Sequence, residues 1–508
     1  MDRFSTSICL TVALYSGLAS FAVTAQSSHV PGFTPQLLKA PFRLTHQVIP
    51  ADILPDDGKE LVLLGVNDSK QRMLAIYKFD TKSAQYSLAY QHEIPSKYHS
   101  FDLSSEYLGQ RQTLYFQSSG QVSRYQPTHQ QKVFEKVADI DSMLLARYPD
   151  FIREDDFVKD INGDQQDDIL VSDFRQSHLL LADGAGRFSK LSLPIPAQVQ
   201  IESNGASYTQ TATYFADMNM DNRQDIVTIG EGELQVFYQT PQQKFKTIPE
   251  FIPVRQAISS MDWWKKRDAY GEQLDQSDLT YRKVEALKDI NNDGVTDLIL
   301  RYTKSSGVFD RINDYEIFLG QAKQDQLSFA NEPSSVVRAD GTLTGLKFID
   351  IDDDARDEVL VAGFDIGLSQ IIGALLAGSI DQDVYLFKMD EAGHFASQSN
   401  ISKEVELSFS LTSGQTGNPV VELADINGDG RKDLLLSDGL DSLKIYFGRD
   451  HKSLFKSRAL TLPFQLPQDG GNLICDDING DGKEDVLIKY GRQDAKERQR
   501  QFRVYLSS

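Results

Sequence analysis

Hydrophobic positions along this chain come in short bursts between polar, turn-forming stretches. The runs "DILVSDF" from Asp168, "DIVTIG" from Asp225, "DLILRY" from Asp297, "EVLVAGF" from Glu358, "DLLLSD" from Asp433 and "DVLIKYG" from Asp485 are all too short for a helix. Continuous apolar runs bounded by turn residues predict strands buried on both faces. A second apolar run follows each one, then a polar turn and an aromatic, as in "HLLLADGAGRFSKL" from His178. Phe188, Phe245, Phe329, Phe395 and Phe455 hold that aromatic position and are expected to pack under their turns. Each unit therefore reads as about four short strands, and no amphipathic helical pattern recurs.

Ahead of each buried run lies an acidic turn, and six of these superimpose without a gap. Position 1 is Asp160, Asp217, Asp289, Asp350, Asp425 and Asp477. Position 3 is Asn162, Asn219, Asn291, Asp352, Asn427 and Asn479. Position 5 is Asp164, Asp221, Asp293, Asp354, Asp429 and Asp481. Position 9 is Asp168, Asp225, Asp297, Glu358, Asp433 and Asp485. A damaged seventh copy keeps Asp52, Asp56 and Glu60 at positions 1, 5 and 9, with Leu54 at position 3. Ca²⁺ takes six to eight oxygen ligands in a flexible shell, which side chains at 1, 3, 5 and 9 and a carbonyl at 7 can supply. These 24 residues are the candidate ligands, for up to six structural Ca²⁺ ions. Zn²⁺ is disfavoured because no Cys or His lies in the loops, and Mg²⁺ because it prefers to keep several waters. Position 6 has to turn sharply and favours positive φ. Gly294, Gly430, Gly482 and Asn222 suit it, whereas Gln165 and Ala355 predict strained or weaker loops. An EF-hand is excluded, because position 12 is never acidic and a strand follows rather than a helix.

The loop starts lie 52 to 75 residues apart. A four-stranded unit needs roughly 40–50 residues, so the excess is insertion. Counting the copy at Asp52 and a loop-free unit near Tyr98–Gln126 gives eight units. Radial repetition of four-stranded sheets predicts an all-β β-propeller of eight blades. Seven blades is the alternative, with the terminal "QFRVYLSS" pairing beside an N-terminal strand such as "FRLTHQVI". A β-solenoid ranks below both, since its repeats are shorter and more uniform. Acidic loops of the form D-x-[ND]-x-D-G-x-x-D before an apolar strand resemble the FG-GAP / VCBS-type repeats, also found in integrin α-chain heads. The resemblance runs from about Asp52 onward and is stronger in the loops than between them; Phe447-Gly448 is one trace of the motif's dipeptides. It implies a propeller whose loops join the first two strands of each blade around a structural ion. The activity stays open, since such repeats serve adhesion, scaffold and enzyme domains alike.

The N-terminus changes the picture. Arg3 precedes an apolar run from Ile8 to about Val23, closed by Val23-Thr24-Ala25. That layout predicts a secretory signal peptide over residues 1–25, with a membrane anchor as the alternative. A single propeller domain over 26–508 would follow, in the periplasm or secreted. Removing Cys9 with the signal leaves Cys475 alone, so no intrachain disulfide forms. The core and bound ions then have to hold the fold. A net charge of −21 from 73 acidic and 52 basic residues argues against nucleic acid or an anionic membrane as partner.

No H-E-x-x-H, G-x-S-x-G, Walker loop or C-x-x-C is present. The eight His, at 29, 46, 92, 99, 129, 178, 394 and 451, are scattered and read as surface or core residues. Two insertions are the places to look for function. Residues 259–283 carry both Trp, Trp263 and Trp264, with Lys265, Lys266, Arg267 and Tyr270, a set suited to a sugar or acidic polymer. The same segment also reads as one simply packed on a propeller face. Residues 364–384 read as a buried plug, with a long hairpin or a docking patch as alternatives. Two functions follow. The first is a non-catalytic Ca²⁺-binding propeller that binds or scaffolds an unknown protein or polysaccharide ligand in the cell envelope or outside the cell, as a monomer. The second is a polysaccharide-active, lyase-like enzyme that works on a propeller face.

Overall fold

Asp168–Ser172 shows how these strands are used. Ile169 and Val171 pack to one side, against Val122 and Ile140, while Leu170 packs to the other, against Ile226 and Phe237. Both faces of the strand are therefore inside the protein, which is why its sequence does not alternate.

The structure is a computed structural model. It describes residues 30–508 apart from 56–57, 108, 130–131, 145–147, 149, 203–204, 231, 308–309, 324–325, 340–341, 365–378, 411–414 and 450–452. The expected signal at 1–25 and most of the 364–384 insertion lie outside the described residues. The strands flanking that insertion, Glu358–Phe364 and Ser379–Phe387, pair as an antiparallel hairpin.

All regular structure among the described residues is strand, apart from three short 3₁₀ turns. The strands form antiparallel meanders of four. The first runs over 43–93, with its first strand in two pieces, Arg43–Leu44 and Ile49–Ala51. The second runs over 100–139, the third over 158–193 and the fourth over 214–253. The fifth, 279–337, and the sixth, 342–410, touch through a single parallel bridge, Asn313 to Thr342. The seventh runs over 421–463. The eighth takes Leu473–Asp476, Asp485–Lys489 and Gln501–Ser507, and borrows its outer strand, Phe33–Lys39, from the N-terminal side. That strand lies upstream of the "FRLTHQVI" segment expected to pair there, because residues 42–51 are already the inner strand of the first meander.

The core lies between meanders rather than within them. Each hydrophobic cluster is shared by two meanders consecutive in the chain. Leu74 and Ile76 of the first meet Phe101 and Leu114 of the second. Val227 and Val236 of the fourth meet Leu298 and Leu300 of the fifth. Leu434 and Leu436 of the seventh meet Leu360 and Leu386 of the sixth. The sequence of contacts returns on itself: Ile478, Leu487 and Phe502 of the eighth pack on Phe42, Leu61 and Ala75 of the first. Sheets stacked face to face in this order make the fold all-β and propeller-like.

In a meander the acidic loop joins strands one and two. The turn between strands two and three then lies at the opposite end, as does the connector leaving strand four. The loops therefore gather on one face, and the insertions before strands 158, 214 and 279 gather on the other.

Candidate functional site

All six acidic loops fold alike. In each, the position-1 carboxylate accepts the N–H of positions 5 and 6, one on each oxygen. Asp160 does so from Asp164 and Gln165 at 3.0 and 2.8 Å, and Asp289 from Asp293 and Gly294 at 3.1 and 2.8 Å. Asp217, Asp350, Asp425 and Asp477 repeat it. The position-5 carboxylate accepts the N–H of position 7, as Asp221 does from Arg223 at 3.0 Å. These bonds curl the backbone so that the side chains of positions 1, 3 and 5 share the concave side of the loop.

The curl needs left-handed backbone at two positions. Position 6 has positive φ throughout, including Gln165 at 63° and Ala355 at 65°. Position 4 does as well, including Met220 at 61° and Asp353 at 59°. A residue other than Gly or Asn there costs about 1–2 kcal/mol, so loops 1, 2 and 4, with Gln165, Met220 and Ala355, carry strain. The sequence reading found the demand at position 6 and missed it at position 4.

Position 9 has a further use. Its carboxylate is fully buried and accepts the N–H of position 2, for example Asp225 from Met218 at 3.0 Å and Asp297 from Ile290 at 3.0 Å. In five loops the other oxygen accepts an N–H at the end of the third strand: Ala182, Gln239, Gly320, Gly448 or Ser507, at 2.7–2.9 Å. Burial and neighbouring carboxylates push these carboxyls up, to about 7 for Asp168, Asp225, Asp297, Glu358 and Asp485 and about 6 for Asp433. Glu60 of the damaged copy keeps the same place, accepting N–H from Ile53 and Leu54 at 2.8 Å each. Asp56 of that copy lies outside the described residues.

The donor set fits a hard cation. Every side-chain ligand atom it offers is oxygen. Asn219 Oδ1, at position 3 of the second loop, is buried with no hydrogen-bond partner. Asp350, Asp352 and Glu358 bring one oxygen each within 4.8 Å of one another.

Neighbouring loops are tied together. Thr296 Oγ1 donates to Asp217 O at 2.6 Å, Asp357 N to Ile290 O at 2.9 Å, and Glu484 N to Asp425 O at 2.8 Å. Lys59 N of the damaged copy donates to Ile478 O of the sixth loop at 2.9 Å, across the junction between the eighth and first meanders.

On the opposite face a groove of about 600 Å³ runs between connectors. Tyr148, Phe151, Phe174 and Tyr208 are exposed along it, with Phe174 and Tyr208 meeting edge to face at 5.1 Å. Arg153, ion-paired with Asp155, and buried His99 also line it. Beneath, His46 stacks on Phe151 at 5.0 Å. Nothing local in the sequence marks this site, because its residues come from four separate connectors. The Trp segment lies alongside, held by Gln198 on Ser260 at 2.6 Å. Trp263 is buried and Trp264 is 45 % exposed. Of the basic residues the sequence pointed to, Lys265 pairs with Asp262, which also holds Lys283 and Arg301, and Lys266 lies over the Tyr281 ring.

Both buried imidazoles are held down to about 4, chiefly by burial, with Lys489 adding to the effect on His46 and Arg153 to that on His99. A free His titrates near 6.5. The unfolded chain therefore takes up these protons first, and stability that is full above about pH 6.5 is lost as pH falls toward 4. Each His costs about 2 kcal/mol by about pH 5. The buried position-9 carboxyls act in the opposite sense, so the comparison has to be between variants. H46Q/H99Q is expected to narrow the fall in melting temperature between about pH 7 and about pH 5; an unchanged fall would refute the assignment.

A family profile described as FG-GAP-like repeat matches residues 160–228 and 425–488. Each match opens on position 1 of an acidic loop and ends within or at the close of the strand after one. No curated protein matches. Among solved structures, an Agrocybe aegerita lectin studied for recognition of non-reducing terminal N-acetylglucosamine is 15 % identical, covering 82 % of this chain and 94 % of its own, with a TM-score of 0.40. The Pseudomonas aeruginosa periplasmic gluconolactonase PpgL is 9 % identical, covering 80 % and 95 %, with a TM-score of 0.35. Scores this low carry no argument about this chain.

Proposed function

We propose, from the premise that this is a chain of FG-GAP-like repeats, that it is an exported, eight-bladed propeller stapled by Ca²⁺, a monomer that binds a ligand without transforming it. The observation that carries the metal reading is the sixfold repetition of one oxygen-lined curl, braced the same way each time. Positions 1, 3, 5 and 9 would hold the ion, with the carbonyl of position 7. The ion supplies positive charge to carboxylates that otherwise repel one another. Supporting eight blades are the four-stranded meanders and the core clusters that lead from the eighth back to the first. The layout of residues 1–25 supports export to the periplasm or beyond.

The ligand is placed on the connector face. Exposed rings standing beside Arg153, Ser207 and Gln210 suit a polysaccharide, whose sugar rings offer apolar faces and hydroxyl edges. Titration calorimetry of the Ca²⁺-loaded protein against a panel of neutral and acidic oligosaccharides tests it. F174A/Y208A is expected to weaken whichever oligosaccharide binds by about tenfold or more, about 1.4 kcal/mol, without lowering the melting temperature. Equal affinity would move the site elsewhere, and binding to none would favour a protein ligand. Cleavage of a bound oligosaccharide would favour the lyase-like alternative.

A further inference from the structure

The fourth acidic loop departs from the other five in three linked ways. Position 3 is Asp352, where the others have Asn. Position 9 is Glu358, where the others have Asp. The third difference comes from a neighbouring strand. Phe387 is the register partner of Val359, so the next residue, Lys388, stands across from Glu358. The same register places Leu181, Tyr238, Leu319, Phe447 and Leu506 across from position 9 in the other loops. A cation thus stands where the other five full loops face an apolar or aromatic side chain, and the loop it faces carries one more carboxylate at positions 1, 3, 5 and 9 than those five.

The side chains meet. Lys388 Nζ is ion-paired with Asp352 Oδ2 and lies 3.7 Å from Asp354 Oδ2. These are positions 3 and 5, on the concave side of the loop. The Lys388 main-chain N–H donates to Asn400 Oδ1 at 2.7 Å, as that of its counterpart Leu319 does to Ser334 Oγ at 3.2 Å. Glu358 Oε2 accepts from Ile351 at 3.0 Å and its Oε1 is buried without a hydrogen-bond partner; one of its oxygens gathers with Asp350 and Asp352.

We infer that the Lys388 ammonium takes the place of the divalent ion in the fourth loop. The inference rests on the calcium reading of the other loops. An ammonium carried by a neighbouring strand is present at every ion concentration and satisfies the buried carboxylates of positions 3 and 5. A divalent ion entering the same concave side would have to displace it and break its ion pair with the fully buried Asp352 carboxylate. The fourth blade is thereby closed to the ion and independent of it, while its neighbours depend on it. The extra carboxylate at position 3 is the complement that holds the lysine in.

Native mass spectrometry of the full chain equilibrated with CaCl₂ counts the bound ions. K388Q is expected to hold one Ca²⁺ more than the wild type. A matched pair at position 1 covers the case where K388Q folds poorly: D425N should lose one ion and D350N none. In melting scans, the gap between EDTA and CaCl₂ should be wider for K388Q than for the wild type. If the wild type holds ions and K388Q gains none, or if D350N loses one, this inference falls and the calcium reading stands. If neither the wild type nor K388Q holds any ion, both fall together.

Discussion

Adding millimolar Ca²⁺ to EDTA-stripped protein is expected to raise its melting temperature by more than about 10 °C, with Mg²⁺ recovering little of the rise. Each of the five loops other than the fourth presents three carboxylates and an Asn oxygen around one concave side, and four of the five are joined by hydrogen bonds to a neighbouring acidic loop. An ion that binds only the folded loop adds about 2.7 kcal/mol at a hundredfold excess over its Kd, and several loops add together. Mg²⁺ demands a tight octahedron and sheds water reluctantly, so a loop shaped for seven or eight oxygens rewards it poorly. The rise should be steepest at low salt, where the carboxylates repel one another most strongly without the ion. Differential scanning calorimetry in EDTA, MgCl₂ and CaCl₂ checks it. Superimposed traces would mean that the backbone bonds of positions 1 and 5 hold the loops unaided.

Removing a position-9 carboxylate is expected to cost about 3–5 kcal/mol whether or not Ca²⁺ is present. Asp297 accepts two buried N–H groups, from Ile290 and Gly320, and each bond to a charged acceptor contributes about 1.5–3 kcal/mol. D297A leaves both donors buried and unsatisfied. D293N at position 5 keeps an oxygen for the Val295 N–H and removes the charge on the ion's side of the loop, so most of its cost should show in CaCl₂ rather than in EDTA. E60A gives the sharpest arm, because Leu54 has removed the position-3 ligand there while Glu60 still accepts two N–H groups. Urea unfolding of the three variants in both buffers separates the roles. A D297A protein as stable as wild type in EDTA would reduce position 9 to a ligand alone.

How much of this was legible depends on how local each cause is. The loops were, because their ligands lie within nine residues and repeat in register. The buried strands were, because a strand packed on both faces shows as an unbroken apolar run. Position 4 was hidden because Met220 and Asp353 occupy a left-handed site that Gly163, Gly428 and Gly480 advertise. The architectural use of position 9 had a signal that went unread: the damaged copy gave up its position-3 ligand and kept Glu60. Pairing of the C-terminal strand with an N-terminal one was legible, but the partner was placed at "FRLTHQVI" instead of Phe33–Lys39, where Pro35 interrupts the strand pattern. The aromatic groove joins His99, Tyr148, Phe174 and Tyr208, which share no motif and meet only once the meanders have stacked.

The pairing of Phe33–Lys39 with Gln501–Ser507 also sets a timetable. A chain made from its N-terminus exposes the first of these strands throughout synthesis and supplies its partner last. For all that time the strand is an open edge, able to recruit the wrong neighbour. Pro35 offers no N–H for such a neighbour to accept, and in the finished sheet it sits opposite Tyr505 on the outermost strand, where a missing donor is tolerated. Phe33, edge-on to Phe464 at 5.2 Å, and half-buried Leu38 are the segment's apolar hold, while Leu37 is exposed, so little draws the segment into premature contacts. Closure of the fold is thus deferred to the arrival of Gln501–Ser507, and a chain lacking that strand would stay open at the junction of the eighth and first meanders.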